Sequence, residues 1–111
     1  MGIFLKKGDK NMNQLINKVE QWSFKRNLHQ AESSKQYLKV AEETGEIAAA
    51  LARNQHAELK DAIGDVVVTL IILAQQNTLT LEECLQTAFD EIADRKGETV
   101  NGVFVKSEDL K

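Results

Sequence analysis

The sequence predicts an all-α protein: a four-helix, bundle-like protomer with a short C-terminal hairpin, assembling into a larger helical bundle. Three observations carry that expectation. No proline occurs in 111 residues, so nothing breaks a helix from within. Apolar residues recur at helical spacing along four separate stretches. The chain is 42% apolar and 28% charged, a balance of folded rather than disordered proteins. Only 5% of residues are aromatic, so aliphatic contacts must supply most of the core.

Residues 1–12 read as a loose leader without periodicity, with Met12 as an alternative start, ahead of one domain over residues 13–111. The first helix is expected from Asn13 to Asn27, where Leu15, Val19, Trp22 and Arg26 recur at helical spacing beside Ile16 and Ser23. Asn27 to Glu32 reads as a loop. Ser33 with Gln36 forms a capping-box signature that starts a second helix running to Arg53. Its stripe is Leu38, Ala41, Gly45, Ala48 and Ala52, with Glu42 and Glu46 on the border and Glu43 further round.

After a turn at Asn54-Gln55-His56, a third helix spans Ala57 to Gln76. It is apolar nearly all round after Asp65, and so is expected to be the central, most buried element. Gly45 and Gly64 lie inside helices, each costing about 1 kcal/mol relative to alanine, which close helix-to-helix approach would justify. Asn77 to Leu79 turn the chain. Thr80 with Glu83 begins a fourth helix expected to end near Lys96, with Gly97 as its C-terminal cap. Asn101-Gly102 between β-branched and aromatic residues signals a hairpin.

The formal charge of −3 and the scattered basic residues argue against a nucleic-acid polymer as partner. The apolar run after Asp65 is too short to span a bilayer. Cys84, the single cysteine, fits a reducing cytoplasm and is expected to pack as a small hydrophobe. The third helix has more apolar faces than so small a chain can cover, which argues for a homodimer or homotetramer.

The chemistry-bearing residues are acidic. Glu42, Glu43 and Glu46 share one arc of the second helix, and Glu58, Asp61 and Asp65 rise along one face of the third. Asp65 opens the run Val66-Val67-Val68, where an ionised carboxylate is costly without a positive partner. Oxygen donors without Cys or His suit a hard cation such as Mg²⁺, which would also attract a polyphosphate. The competing reading is a solvated acidic face, with Lys39 and Lys60 as plain ion-pair partners. A carboxylate-bridged di-iron centre needs Glu-x-x-His on two helices, whereas His29 and His56 follow Arg26 and Arg53 and read as loop residues. Trp22 reads either as a core residue or as a platform for a nucleobase. Arg95 and Lys96 suit a helix C-terminus or a phosphate.

Lys39 to Ile47, containing Glu42-Glu43-Thr44-Gly45-Glu46, followed by Asp61-Ala62-Ile63-Gly64-Asp65-Val66, resembles the MazG-type nucleotide pyrophosphohydrolases of the all-α NTP pyrophosphatase superfamily. Gln21-Trp22-Ser23 and the Asn101-Gly102 tail resemble its short, single-domain phage and bacterial members. The resemblance covers roughly residues 13–110 and departs from the pattern at Ala62, where a glutamate is expected. It implies hydrolysis of a nucleoside triphosphate to monophosphate and pyrophosphate with Mg²⁺, for which Mn²⁺ can substitute. Carried over, Glu43, Glu46, Asp61 and Asp65 are metal ligands, with Glu58 auxiliary. Glu58 and Asp61 are the other reading of the second motif. Glu42 and Glu43 are the catalytic acids, and Trp22, Lys39, Lys60, Arg95 and Lys96 face the substrate. A non-catalytic helical dimer that binds a nucleotide or a partner protein is the alternative.

Overall fold

The computed structural model describes residues 11–110. All but the end of the expected leader therefore lies outside the described residues. The chain forms four helices, α1 (Met12–Lys25), α2 (Ser33–Ala52), α3 (His56–Gln76) and α4 (Leu81–Ile92), then strands β1 (Gly97–Val100) and β2 (Val103–Lys106). Short 3-10 turns occupy Leu28–Gln30 and Ser107–Asp109. The all-α class and the C-terminal hairpin are as the sequence predicts. No helix among the described residues is long and apolar enough to cross a membrane. The chain divides into two compact units, one up to Leu81 and one from Glu82.

In the first unit α3 is the central element, packed chiefly on α2 and also on α1 and the first 3-10 turn. It supplies Ala62, Ile71, Ile72 and Ala74 to a core completed by Ile16 and Ala50. Amide side chains stitch its C-terminal half to its neighbours. Gln36 Nε2 donates to the Thr69 carbonyl (3.0 Å), Gln75 Nε2 to that of Glu20 (3.0 Å) and Gln76 Nε2 to that of Leu28 (2.8 Å). Asn77 Nδ2 donates to Ser33 Oγ at 2.9 Å.

Helix α2 starts at Ser33 as expected, but not through a capping box. Ser33 is the first helical residue rather than its cap, Glu32 holds the cap position, and no side chain caps it. Ser33 and Gln36 tie α2 to α3 instead of forming a capping box, because a buried amide needs a partner more than an exposed helix end does. Asn11 does cap α1, accepting from the Gln14 amide at 3.2 Å.

The buried faces of α1 and α2 are also turned from the expected stripes. On α2 the inward row is Gln36, Val40, Glu43, Ile47 and Ala50, whereas Ala41, Gly45, Ala48 and Ala52 are exposed and Leu38 is 66% exposed. A Cβ added at Gly45 or Gly64 would meet nothing within 4 Å, so close helix approach is not what these glycines serve within one chain. On α1, Ile16 and Ser23 are buried, and Trp22, read as a core residue, is 47% exposed. The Arg26 guanidinium lies 4.1 Å over the Trp22 ring and donates to its carbonyl. This cation–π contact shelters the indole without burying it. The histidines are not loop residues: His56 opens α3, and His29 sits in a 3-10 turn, stacked on Phe24 with ring centroids 4.4 Å apart.

In the second unit α4 ends at Ile92, four residues before the expected end. Asp94 is poorly placed for a helix C-terminus, whose partial charge is negative. Gly97 begins β1 rather than capping the helix, and a Cβ there would press on the Val105 carbonyl and the Phe104 ring. Asn101 and Gly102 turn the hairpin with φ of 52° and 82°, the left-handed pair a type I′ turn requires. Cys84 is exposed, not packed, because no residue of α4 is buried, its apolar Leu85, Phe89 and Ile92 included.

Candidate metal and phosphate site

Antiparallel pairing of α2 and α3 decides where the acids go. Asn54, in the left-handed region at φ 54°, reverses the chain between the helices. The late turns of α2 thereby meet the early turns of α3. Between them lies a cleft of about 370 Å³, lined by Glu42, Glu43, Glu46, Ala50, Arg53, Glu58, Asp61 and Asp65. That volume falls within the range of small-molecule sites. All six expected carboxylates line one concavity. Glu43 and Asp65 are half-buried, Glu42, Glu46, Glu58 and Asp61 are exposed, and Ala50 gives the lining a buried methyl.

The six differ in what holds them. Glu42 Oε1 accepts from Lys39 Nζ at 3.3 Å, so Lys39 acts as an ion-pair partner. With its amide nitrogen turned toward the acid, Gln55 donates to Glu58 Oε1 at 2.9 Å and also to Oε2. Glu43, Glu46, Asp61 and Asp65 make no side-chain hydrogen bond or ion pair within the described residues. Glu42 and Glu58 thus have local partners, and the other four carboxylates keep their oxygens free of protein partners within the described residues. No three of them stand close enough together, among the described residues, to share one ion. Mutual repulsion of unneutralised carboxylates favours such spacing.

Ala62 is 5% exposed and belongs to the core, while Glu58, Asp61 and Asp65 all reach the cleft. Trp22 and Lys60 do not line it, nor does Lys39. Arg95 and Lys96 belong to the second unit, where with Lys106 and the acids Glu91, Asp94 and Glu108 they line a separate cleft of about 450 Å³. The residue that sequence reading passed over is Arg53. Its signal was spacing alone: it sits seven residues beyond Glu46, two helical turns further along the same face.

The molecule is therefore a helical protein with a carboxylate-lined cleft on two antiparallel helices. The family of phosphoribosyl-ATP pyrophosphohydrolases matches residues 5–96, and the chain belongs to that family. It is 43% identical over 68 residues to an uncharacterised 18.2 kDa protein from the rep-hol intergenic region of Haemophilus phage HP1 (strain HP1c1). That stretch is 60% of this chain and 42% of the phage protein, so the match covers less than half the length of the relative. No solved structure matches the chain.

Proposed function

We propose that the chain is a Mg²⁺-dependent nucleoside triphosphate pyrophosphohydrolase of the MazG type, converting a (deoxy)nucleoside triphosphate and water to the monophosphate and pyrophosphate. The observation that carries this reading is that four partnerless carboxylates, two from each of two antiparallel helices, share one cleft. Membership of the phosphoribosyl-ATP pyrophosphohydrolase family supports the same bond class.

Glu43, Glu46, Asp61 and Asp65 would hold the cation: their donor type, all oxygen, is the one a hard divalent ion takes, and binding would have to draw them closer than they stand in this structure. When bound, that ion screens the phosphates and acidifies a nearby water. Glu42 accepts the proton of the attacking water, and Lys39 keeps its carboxylate oriented through their ion pair. Water oxygen bonds to the α-phosphorus, the bond from that phosphorus to the α–β bridging oxygen breaks, and pyrophosphate leaves. Glu58, engaged by Gln55, is auxiliary.

We also assign self-association to the exposed apolar stripe of α2, whose occupant is a second copy of the chain. The third helix keeps Ile63 at 48% exposure, so one chain does not cover all of its apolar surface.

The test is a turnover panel. Purified protein is incubated with each nucleoside triphosphate and with phosphoribosyl-ATP, with Mg²⁺ and then with chelator, and pyrophosphate is measured. Release that needs Mg²⁺ and falls at least about 100-fold in Asp65→Asn is expected. Binding without release would favour a non-catalytic nucleotide-binding dimer. Full activity in Asp65→Asn would remove the carboxylate set from the reaction.

A further inference from the structure

Resting on that reading, we propose that Arg53 is the phosphate-binding residue of the cleft, gripping the pyrophosphate end of the substrate while the acids of α2 and α3 hold its cation. Among the described residues Arg53 is the one cation lining the cleft. Six carboxylates and one guanidinium leave it a formal charge of −5, which repels a bare polyphosphate. Yet Arg53 makes no ion pair within the described residues. The acid nearest it in the cleft's sequence, Glu58, is taken by Gln55, and Glu42 is taken by Lys39.

An arginine beside six acids, with none of them as a partner, keeps its planar donor fork available. That fork matches two phosphate oxygens at once. Its backbone is fixed: Arg53 is the C-cap of α2, and its amide donates to the Ala49 carbonyl at 3.1 Å. Seven residues separate it from Glu46, a rise of about 10 Å along the helix. Arg53 thus stands at the loop end of the cleft, and the leaving group lies toward that end. A plain alternative is that Arg53 only offsets the partial negative charge of the α2 C-terminus. The two roles differ in what they move.

The experiment uses the full chain as wild type, Arg53→Ala and Arg53→Lys. It measures nucleotide KM and kcat, pyrophosphate binding by calorimetry with Mg²⁺ present, Mn²⁺ binding, and the thermal midpoint. Arg53→Ala is expected to raise KM and weaken pyrophosphate binding by about tenfold or more, with KM affected more than kcat. Mn²⁺ binding should be retained, and Arg53→Lys should recover part of the loss. A lower thermal midpoint with unchanged KM and pyrophosphate affinity would overturn the proposal and leave Arg53 as a helix cap. If the alanine variant does not fold, the lysine variant decides. Equal pyrophosphate affinity in Arg53→Lys and wild type would then count against the two-oxygen grip. Turnover in wild type with pyrophosphate binding indifferent to Arg53 would sink this residue's role alone. Failure of wild type to bind Mn²⁺ or pyrophosphate would sink the enzymatic reading with it.

Discussion

At the scale of the residue, what separates the acids is the company each keeps. Glu42 spends its charge on Lys39 and Glu58 on Gln55, whereas Glu46 faces other carboxylates without a partner. Replacing Glu46 by glutamine should therefore relieve repulsion in metal-free protein. Like-charge pairs at helical spacing cost up to about 0.5 kcal/mol, and the thermal midpoint of Glu46→Gln should rise by about 2–4 °C. Glu42→Gln loses an exposed ion pair, worth at most about 1 kcal/mol, and should not rise. Thermal melts in chelator check both. A drop in Glu46→Gln would mean that its carboxylate is held by something favourable. The same contrast explains what composition could not reveal. The acids of the cleft were legible from their spacing, and Lys39 as an ion-pair partner among them, but the hold of Gln55 on Glu58 depends on rotamers, and Arg53 enters only because Asn54 turns the chain back on itself.

At the scale of the element, helix existence and order were plain from periodicity, and Asn101-Gly102 marked its turn with the backbone angles it requires. Helix faces were less legible. On α2 the alanine and glycine stripe carries little area per residue, so Val40, Ile47 and the amide of Gln36 take the seam with α3 and leave the stripe outside. Ser33 and Gln36 look like a capping box until Thr69 and Asn77, more than thirty residues on, offer them better partners. The open space around Gly45 yields a prediction. Within one chain an alanine fits there and should stabilise α2 by about 1 kcal/mol in dilute chemical denaturation. If a second copy packs on this stripe, Gly45→Ala should also shift sedimentation toward monomer. Unchanged sedimentation would take Gly45 out of the contact.

At the scale of the whole molecule, one relation organises the first unit. Helix α3 buries its aliphatic half against three neighbours and exposes its acidic half to the cleft, and α2 runs antiparallel beside it. Burial of Ile71, Ile72 and Ala74 fixes α3 in rotation, and that rotation points Asp61 and Asp65 into the concavity. The second unit, with its own mixed-charge cleft at Arg95, Lys96 and Lys106, is a separate compact body. The central claim is that the open carboxylates of α2 and α3 jointly take up one kind of ligand, a divalent cation. The most direct measurement is the stoichiometry of Mn²⁺ bound to the full chain, read by electron paramagnetic resonance. Wild type should bind at least one ion per chain. Glu46→Gln and Asp65→Asn, with helicity intact by circular dichroism, should each bind it at least about tenfold more weakly. Equal binding by wild type and both variants, or none by wild type, would contradict the account.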